Sequence, residues 1–288
     1  MAIAERSRLV ARAQGLLLGC HPLPCLAVTA FGTAYAGAIG AGPGRLAGVA
    51  GALMAGQLCV GWSNDAIDAP RDQAAGRADK PVSAGLVGAR TLTVAALLAA
   101  IACGLLSFRL GAAAGWLHVI AVTSAVGYNA GLKSTPVSPL PYLVSFGLLP
   151  LLVTFAVTGH GSIPGSRVVA AALLGVAAHF GNTVGDTEAD AVTGVRGLPQ
   201  RLGPRRSLIV MAVLIALAAV VLLTGVLAAG SGQIGVGRRM GAGGLLLAGV
   251  GLAVGGAVRR VGVPGGRAAW RLTLLAVTLV IAGFLLSV

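Results

Sequence analysis

The sequence predicts an all-α integral membrane protein with nine transmembrane helices. Hydrophobic residues make up 56% of the 288 residues and charged residues only 10%, a composition unlike that of a soluble domain. Apolar runs long enough to cross a bilayer recur throughout the chain. These observations exclude a soluble enzyme and predict that residues 1–288 form a single membrane domain.

The nine predicted spans follow one another with short connections. Their approximate bounds are 16–37, 44–62, 91–108, 111–128, 139–158, 168–182, 207–229, 241–258 and 270–287. The sixth run is short and must continue into the polar segment after it to cross a bilayer. The first run also resembles a signal peptide with a cleavage site at Ala34-Tyr35-Ala36, although a first transmembrane helix is favoured. Pro70 is expected to kink or end the helix that contains it.

The basic residues are distributed unequally between the two predicted sides of the membrane. With the N-terminus inside, sixteen of the 21 Lys and Arg residues lie on the inner side, and only five lie outside: Arg45, Arg109, Arg167, Arg238 and Arg239. All eight acidic residues also lie inside. The positive-inside rule then predicts a cytosolic inner side, as in a bacterial plasma membrane. The net charge of +13 is explained by this topology, and no nucleic-acid partner is expected.

One polar pattern occurs twice, each time at the end of a long apolar run. Asn64-x3-Asp68-x3-Asp72-x3-Gly76 is repeated as Asn182-x3-Asp186-x3-Asp190-x3-Gly194. On an α-helix, positions i, i+4 and i+8 share one face, so each copy presents a line of oxygen ligands. Carboxylates beside a bilayer are costly unless they bind something, and such ligands suit Mg²⁺ held together with phosphates.

The two copies therefore predict one divided site for Mg²⁺ and a diphosphate. Asp65 lies at the edge of the first face, whereas Glu188 points away from the second. The predicted metal ligands are Asn64, Asp65, Asp68, Asp72, Asp186 and Asp190, and four of these, Asp68, Asp72, Asp186 and Asp190, are the predicted catalytic residues. Of the four histidines, only His179 is placed near the site, and the four cysteines are predicted to be buried without a metal-binding spacing.

Cationic residues in the inner loops are candidates for binding the diphosphate. Arg77 and Lys80 follow the first copy, and Tyr128-x4-Lys133 follows the fourth span. An arginine offers a planar fork to phosphate oxygens and a lysine a compact charge. With Asn64 and Asn182, these four residues form the predicted diphosphate-binding set. An alternative for Arg77 is a loose pair with Asp79.

These motifs resemble the UbiA superfamily of intramembrane prenyltransferases. The resemblance rests on Asn64-Asp65-x2-Asp68-x3-Asp72, Arg77-x2-Lys80-Pro81, Tyr128-x4-Lys133 and Asp186-x3-Asp190-x3-Gly194, in this order along nearly the whole chain. It implies nine helices around a central cavity, open to the lipid at the side. It also implies that Mg²⁺ at both aspartate segments binds an isoprenyl diphosphate, which ionises to an allylic cation that a lipophilic acceptor captures.

Two residues depart from the family pattern. Asn182 stands where many members have Asp, and Gly197 stands where Ser or Thr is common. The acceptor is left open among an aromatic acid, a quinone precursor, a glycerol phosphate and a tetrapyrrole. A cyclase without an acceptor and a phosphoribosyl transferase also fit the metal site.

Proteins outside the family provide two further alternatives. A cation-coupled transporter would place acids near mid-helix, whereas these lie at one end beside Arg and Lys. A CDP-alcohol phosphotransferase would need an Asp-Gly-x2-Ala-Arg signature, which the chain lacks.

Overall fold

The computed structural model describes residues 2–160, 163–185, 194–229, 235–262 and 267–288. Within these ranges every regular element is helical. The helices are α1 Ala2–Gly19, α2 Pro22–Ala38, α3 Pro43–Ala74, α4 Ala89–Arg109, α5 Ala112–Asn129, α6 Leu140–Thr158, α7 Gly165–Gly185, α8 Leu198–Leu202, α9 Pro204–Ala228, α10 Val236–Gly262 and α11 Arg267–Leu286. A single 3₁₀ turn, Leu132–Ser134, lies between α5 and α6.

The predicted all-helical membrane fold is confirmed. Five helices, α3, α4, α6, α7 and α9, are long and apolar enough to cross a bilayer, and α1 with α2 would add a sixth as a bent pair. Each of the nine predicted spans has a helix or this bent pair as its counterpart, so the predicted number is compatible with the structure. As expected, α7 continues past the apolar run to Gly185. That residues 1–288 form a single domain stays a prediction.

The first predicted span, 16–37, is wrong as one continuous helix. It is divided between α1 and α2, which meet at an angle of 57°. His21 separates them with a φ of 54°, in the left-handed region that non-glycine residues rarely adopt. Pro22 disfavours the α conformation of the residue before it, so the helix breaks at His21.

Pro70 was expected to kink or end its helix. The predicted helix end is wrong, because α3 continues through Pro70 to Ala74. The chain leaves the helix two residues later at Gly76, whose φ of 65° is readily adopted by glycine. The turn beyond Pro70 is closed by Ala75 N–H donating to Arg71 O over 3.0 Å. Asp72 therefore remains in helical register with the earlier aspartates.

The transmembrane helices pack in chain order into a closed arrangement, which we call the helix ring. Each of α2 to α7 packs on the next, α7 on α9, α9 on α10, and α10 on α11. The ring closes where Phe284 of α11 makes edge-on contacts with Phe31 and Tyr35 of α2, at centroid distances of 5.4 and 5.6 Å. Inside the ring, the Tyr35 hydroxyl and Thr154 Oγ1 lie 3.2 Å apart.

Small residues allow close approaches at particular positions in the ring. A Cβ at Gly61 would lie 2.4 Å from the carbonyl oxygen of Cys20, so the end of α1 lies directly on the backbone of α3. A Cβ at Gly175 would lie 2.5 Å from the Phe146 side chain. The GxxxG-like pair Gly251 and Gly255, which the sequence suggested for such packing, has no described atom within 4 Å of an added Cβ.

Charged and apolar side chains are separated along the helices. At one end of the ring, Arg45 donates to the Leu110 carbonyl over 3.1 Å. The polar segment of α3 and the loops that follow α3 and α5 lie at the opposite end. The outward face of α4 exposes large apolar residues, including Leu97, Leu98, Ile101 and Leu105, as expected of a lipid-facing helix.

Candidate active site

Three carboxylates are buried along one face of α3. Asp65, Asp68 and Asp72 have exposed fractions of 3%, 7% and 4%. Their sequence spacing of three and four residues places them on successive turns of the helix. We call these three residues the acidic face. Ionised carboxylates removed from water require opposite charges or metal ions.

Asp68 is held by two cations. Lys133 Nζ lies 2.5 and 2.6 Å from its two carboxylate oxygens, and Arg71 donates to Oδ2 over 2.9 Å. The 3₁₀ turn after α5 carries Lys133 into the interior, where only 7% of the residue is exposed. Burial lowers the pKa of Lys133, and the negative charge of Asp68 opposes this effect. The structure thus brings together Lys133 and the first aspartate segment.

Asp65 accepts two hydrogen bonds on one oxygen. Lys80 Nζ lies 2.8 Å and His21 Nε2 lies 2.9 Å from Oδ1. The other oxygen, Oδ2, is buried and has no hydrogen-bond partner among the described residues. Of the histidines, only His179 was predicted to lie near the site; this is wrong, because His21 contacts Asp65 directly.

The remaining polar residues of the first segment differ in their contacts. Asn64 Nδ2 donates to Asn129 Oδ1 over 3.1 Å, and Asn129 donates in turn to Val60 O and Ser63 Oγ on α3. The Asp72 carboxylate accepts no hydrogen bond within the described parts of the chain, although the positive charges of Lys80, Arg71 and Arg77 act on it. Asp72 and Asp65 Oδ2 therefore retain lone pairs for a further ligand.

Arg77 pairs with Asp79, as in the alternative that the sequence left open. Its Nε and terminal nitrogen donate to the two Asp79 oxygens over 2.9 and 2.7 Å. These hydrogen bonds lower the pKa of Asp79 to about 2. Because the Asp79 side chain is 61% exposed, the pair lies at the rim of the site, and Arg77 is not bonded to the acidic face by any of these contacts.

An aromatic cluster lies between the loop after α5 and the end of α7. Tyr128 packs edge-on against Tyr142 and His179, at centroid distances of 5.2 and 5.5 Å. Tyr142 also stacks on Phe146 at 6.1 Å, and Asn182 interacts with the Tyr142 side chain. The predicted residues Tyr128 and Asn182 thus meet at this cluster, whereas Lys133 turns towards Asp68.

Ser138 joins three segments around the site. Its Oγ lies 3.0 Å from His179 Nε2 on α7 and accepts from the Leu198 N–H over 3.0 Å. The neighbouring Gly197 lies so close that an added Cβ would be 2.5 Å from the Lys133 carbonyl oxygen and 2.8 Å from Ser138 Oγ. A serine or threonine at position 197 would require the Lys133 loop to move, which explains the glycine in this chain.

The second aspartate segment lies mostly outside the described residues. Asn182 is described, but Asp186 and Asp190 fall within 186–193, so their place in a divided site remains a prediction. Within the described ranges, no three His, Cys, Asp or Glu side chains converge as a metal site. The donors present nevertheless suit a hard divalent cation, because Asp65 Oδ2 is buried without a hydrogen-bond partner and the Asp72 carboxylate accepts no hydrogen bond from the described residues.

Several residues of the site were not predicted from the sequence. His21 is distant in sequence, and its only signal was the pair of prolines that follow it. Arg71 was only one of the sixteen basic residues on the predicted inner side, and Asn129 had no predicted role. Ser138 carried no signal, because a single serine in a loop with Thr135 and Pro136 is typical of a turn.

This fold and this site define a multi-pass, all-helical membrane protein with a buried cluster of carboxylates and cations at one end of its helices. The chain belongs to the UbiA prenyltransferase family, whose sequence profile matches residues 25–253. The matched range includes both aspartate segments and both lysines. A sequence comparison with curated proteins gave no match.

Solved structures of UbiA homologues share the fold. A UbiA homologue from Archaeoglobus fulgidus bound to DMAPP and Mg²⁺ is 14% identical, with a TM-score of 0.70 over 94% of this chain and 98% of that chain. An apo homologue from Aeropyrum pernix is 20% identical, with a TM-score of 0.68 over 89% and 95%. A digeranylgeranylglyceryl phosphate synthase is 16% identical, with a TM-score of 0.70 over 95% and 97%.

The buried pair of Lys133 and Asp68 yields a prediction about stability. Lys133→Met should lower the free energy of unfolding by about 3 kcal/mol, because it removes the bidentate partner of a buried carboxylate. Asp79→Asn, which breaks an exposed pair, should cost less than about 1 kcal/mol. Denaturant unfolding in detergent would measure both variants. Equal losses in the two variants would contradict the importance of the buried pair.

Proposed function

We propose that the protein is a Mg²⁺-dependent intramembrane prenyltransferase. It would transfer an isoprenyl group from a prenyl diphosphate to an aromatic or other lipophilic acceptor and release pyrophosphate. One observation carries this proposal: Lys80 and Lys133 reach the buried acidic face of α3 from two separate loops. A cluster of three carboxylates and two ammonium groups in a member of this family suits a substrate that is both anionic and metal-bound.

The acidic face supplies the metal ligands in this proposal. Asp65 Oδ2 and Asp72 have free lone pairs in the structure, and Asp68 would contribute where Lys133 releases it. Asn64 would add an amide oxygen, and Asp186 with Asp190 would complete the set from the second segment. When bound, Mg²⁺ would neutralise the diphosphate charge and make it a better leaving group.

The cationic side chains bind the leaving group. Lys80 and Lys133 exchange a carboxylate oxygen for a phosphate oxygen, a change that keeps each ammonium paired. Arg77 at the rim presents two parallel donors, which at present engage Asp79. Tyr128 and Asn182 would add polar contacts from the aromatic cluster. These donors would stabilise the negative charge that develops on the departing pyrophosphate.

The reaction breaks the allylic C–O bond, and the electron pair leaves with pyrophosphate. The acceptor then forms a bond to the allylic carbon and loses a proton. Water would capture the same carbon, so the site must exclude it. The apolar interior of the helix ring supports this requirement, since Tyr35, Leu53 and Val153 are each at most 1% exposed.

Two observations on relatives support the class of donor. Homologues from Archaeoglobus fulgidus have been solved with DMAPP and Mg²⁺ and with GPP and Mg²⁺.

A transporter is less well supported, because the acids lie at the end of α3 beside Lys80, Arg71 and Lys133, whereas ion-binding acids of transporters are expected near mid-membrane.

The fate of the diphosphate tests the proposed reaction. Purified protein supplied with Mg²⁺, an allylic prenyl diphosphate and a panel of acceptors should release pyrophosphate rapidly only with a suitable acceptor, and EDTA should stop the release. Pyrophosphate assays and mass spectrometry of the lipid products would measure it. Equally fast release without an acceptor, with a cyclic product, would indicate a cyclase, and solute movement without covalent change would indicate a transporter.

Removing single charges from the aspartates tests the metal site. Asp68→Asn, Asp72→Asn, Asp186→Asn and Asp190→Asn should each lower kcat/KM at least about 100-fold, because each keeps the shape but removes a metal-directed charge. Asp79→Asn, in the neighbouring exposed loop, is the matched control and should remain within a few-fold of the native protein. Near-native activity in two of the four variants would refute the divided site.

The unequal distribution of basic residues supports a cytosolic site in a bacterial plasma membrane. A single cysteine introduced at Ala74, in a variant with the four native cysteines replaced, should react with a membrane-impermeant maleimide only after the cells are opened. A cysteine introduced at Gly42, at the other end of α3, should react in intact cells. The reverse pattern would overturn the orientation.

A further inference from the structure

We propose that His21 is a positioning residue for Asp65: it fixes Oδ1 so that Oδ2 is the oxygen left for a divalent cation. This inference deepens the proposed function and rests on its metal site. The contact is direct, because His21 Nε2 lies 2.9 Å from Asp65 Oδ1. The second carboxylate oxygen is buried and without a partner among the described residues. A group that holds one oxygen of a ligating carboxylate orients the other.

His21 does this from a fixed position. Its N–H donates to Leu18 O over 3.1 Å, and its carbonyl accepts from Cys25 N–H over 3.2 Å, so the backbone is tied to both α1 and α2. Trp62 Nε1 on α3 donates to Leu16 O over 2.8 Å. The backbone of Cys20 also lies against Gly61. The end of α1 is therefore attached to α3 one turn before Asp65.

The backbone conformation at His21 indicates that its side chain has a functional role. Its φ of 54° is the only positive value among the described non-glycine residues. Glycine would adopt this conformation with less strain, and strained residues of this kind cluster at functional sites. An imidazole here provides what glycine lacks, which is a rigid donor directed at Asp65.

Lys80 and His21 have different roles at the same oxygen. Lys80 lies on a loop, and its long side chain is free to exchange Asp65 for a phosphate oxygen. His21 is short and held by its backbone, so it remains on Oδ1 when Lys80 leaves. Asp65 then keeps one hydrogen-bond partner throughout the binding of a substrate.

Metal binding by the purified full-length protein tests this inference without requiring turnover. In a titration with Mn²⁺ alone, followed by electron paramagnetic resonance, His21→Gly should weaken binding about tenfold. His21→Gln should stay within about threefold, because its amide nitrogen reaches a position similar to that of Nε2. His21→Asn tolerates the left-handed backbone but is too short, and should bind as weakly as His21→Gly. His160→Gln, at the opposite end of the ring, should match the native protein.

The outcomes separate this inference from the proposed function. Native Mn²⁺ affinity in both His21→Gly and His21→Asn would overturn it, as would a loss in His21→Gln equal to that in His21→Gly. Weakened Mn²⁺ binding with an unaltered melting temperature would support the positioning role of His21, since a purely structural role would lower both the affinity and the melting temperature. Native protein that binds Mn²⁺ but transfers no prenyl group would refute the proposed function while leaving the role of His21 intact.

Discussion

The burial of three carboxylates at the end of one helix is the constraint on which the rest of this structure depends. Asp65, Asp68 and Asp72 lie where water is largely excluded, so their charges must be balanced within the protein or by ligands. The loop after α3 supplies Lys80, the turn after α5 supplies Lys133, and α3 itself supplies Arg71. The connections at this end of the ring are therefore arranged around the charge of α3.

The sequence predicted the parts of the fold and the site that depend on periodicity and spacing. Apolar runs located the helices, and the i, i+4, i+8 pattern placed Asp68 and Asp72 on one buried face. It could not predict His21 beside Asp65, because that contact depends on a backbone conformation at a helix break. Nor could it predict that α3 passes through Pro70, since neighbouring helices can compensate for a lost backbone hydrogen bond.

Gly197 shows how a departure from a family pattern can be compensated nearby. The family resemblance implies a Ser or Thr hydroxyl at position 197, which this chain lacks. In the structure, Ser138 provides a hydroxyl beside Gly197, bonded to His179 and to the Leu198 N–H. Because Gly197 has no side chain, the loop that contains Lys133 and Ser138 can lie close to it, and Ser138 supplies the hydroxyl from that loop. Ser138 thereby joins the loop after α5 to α7 and to the start of α8.

The contact of Phe284 with Phe31 and Tyr35 has a consequence for biosynthesis. It joins α2 to α11, and contacts between residues so distant in sequence form late because they close a long loop. Because α11 is translated after α3, the α3 carboxylates would at first lie beside an incomplete arc of helices. A variant that lacks α11 would therefore leave the arc open between α2 and α10.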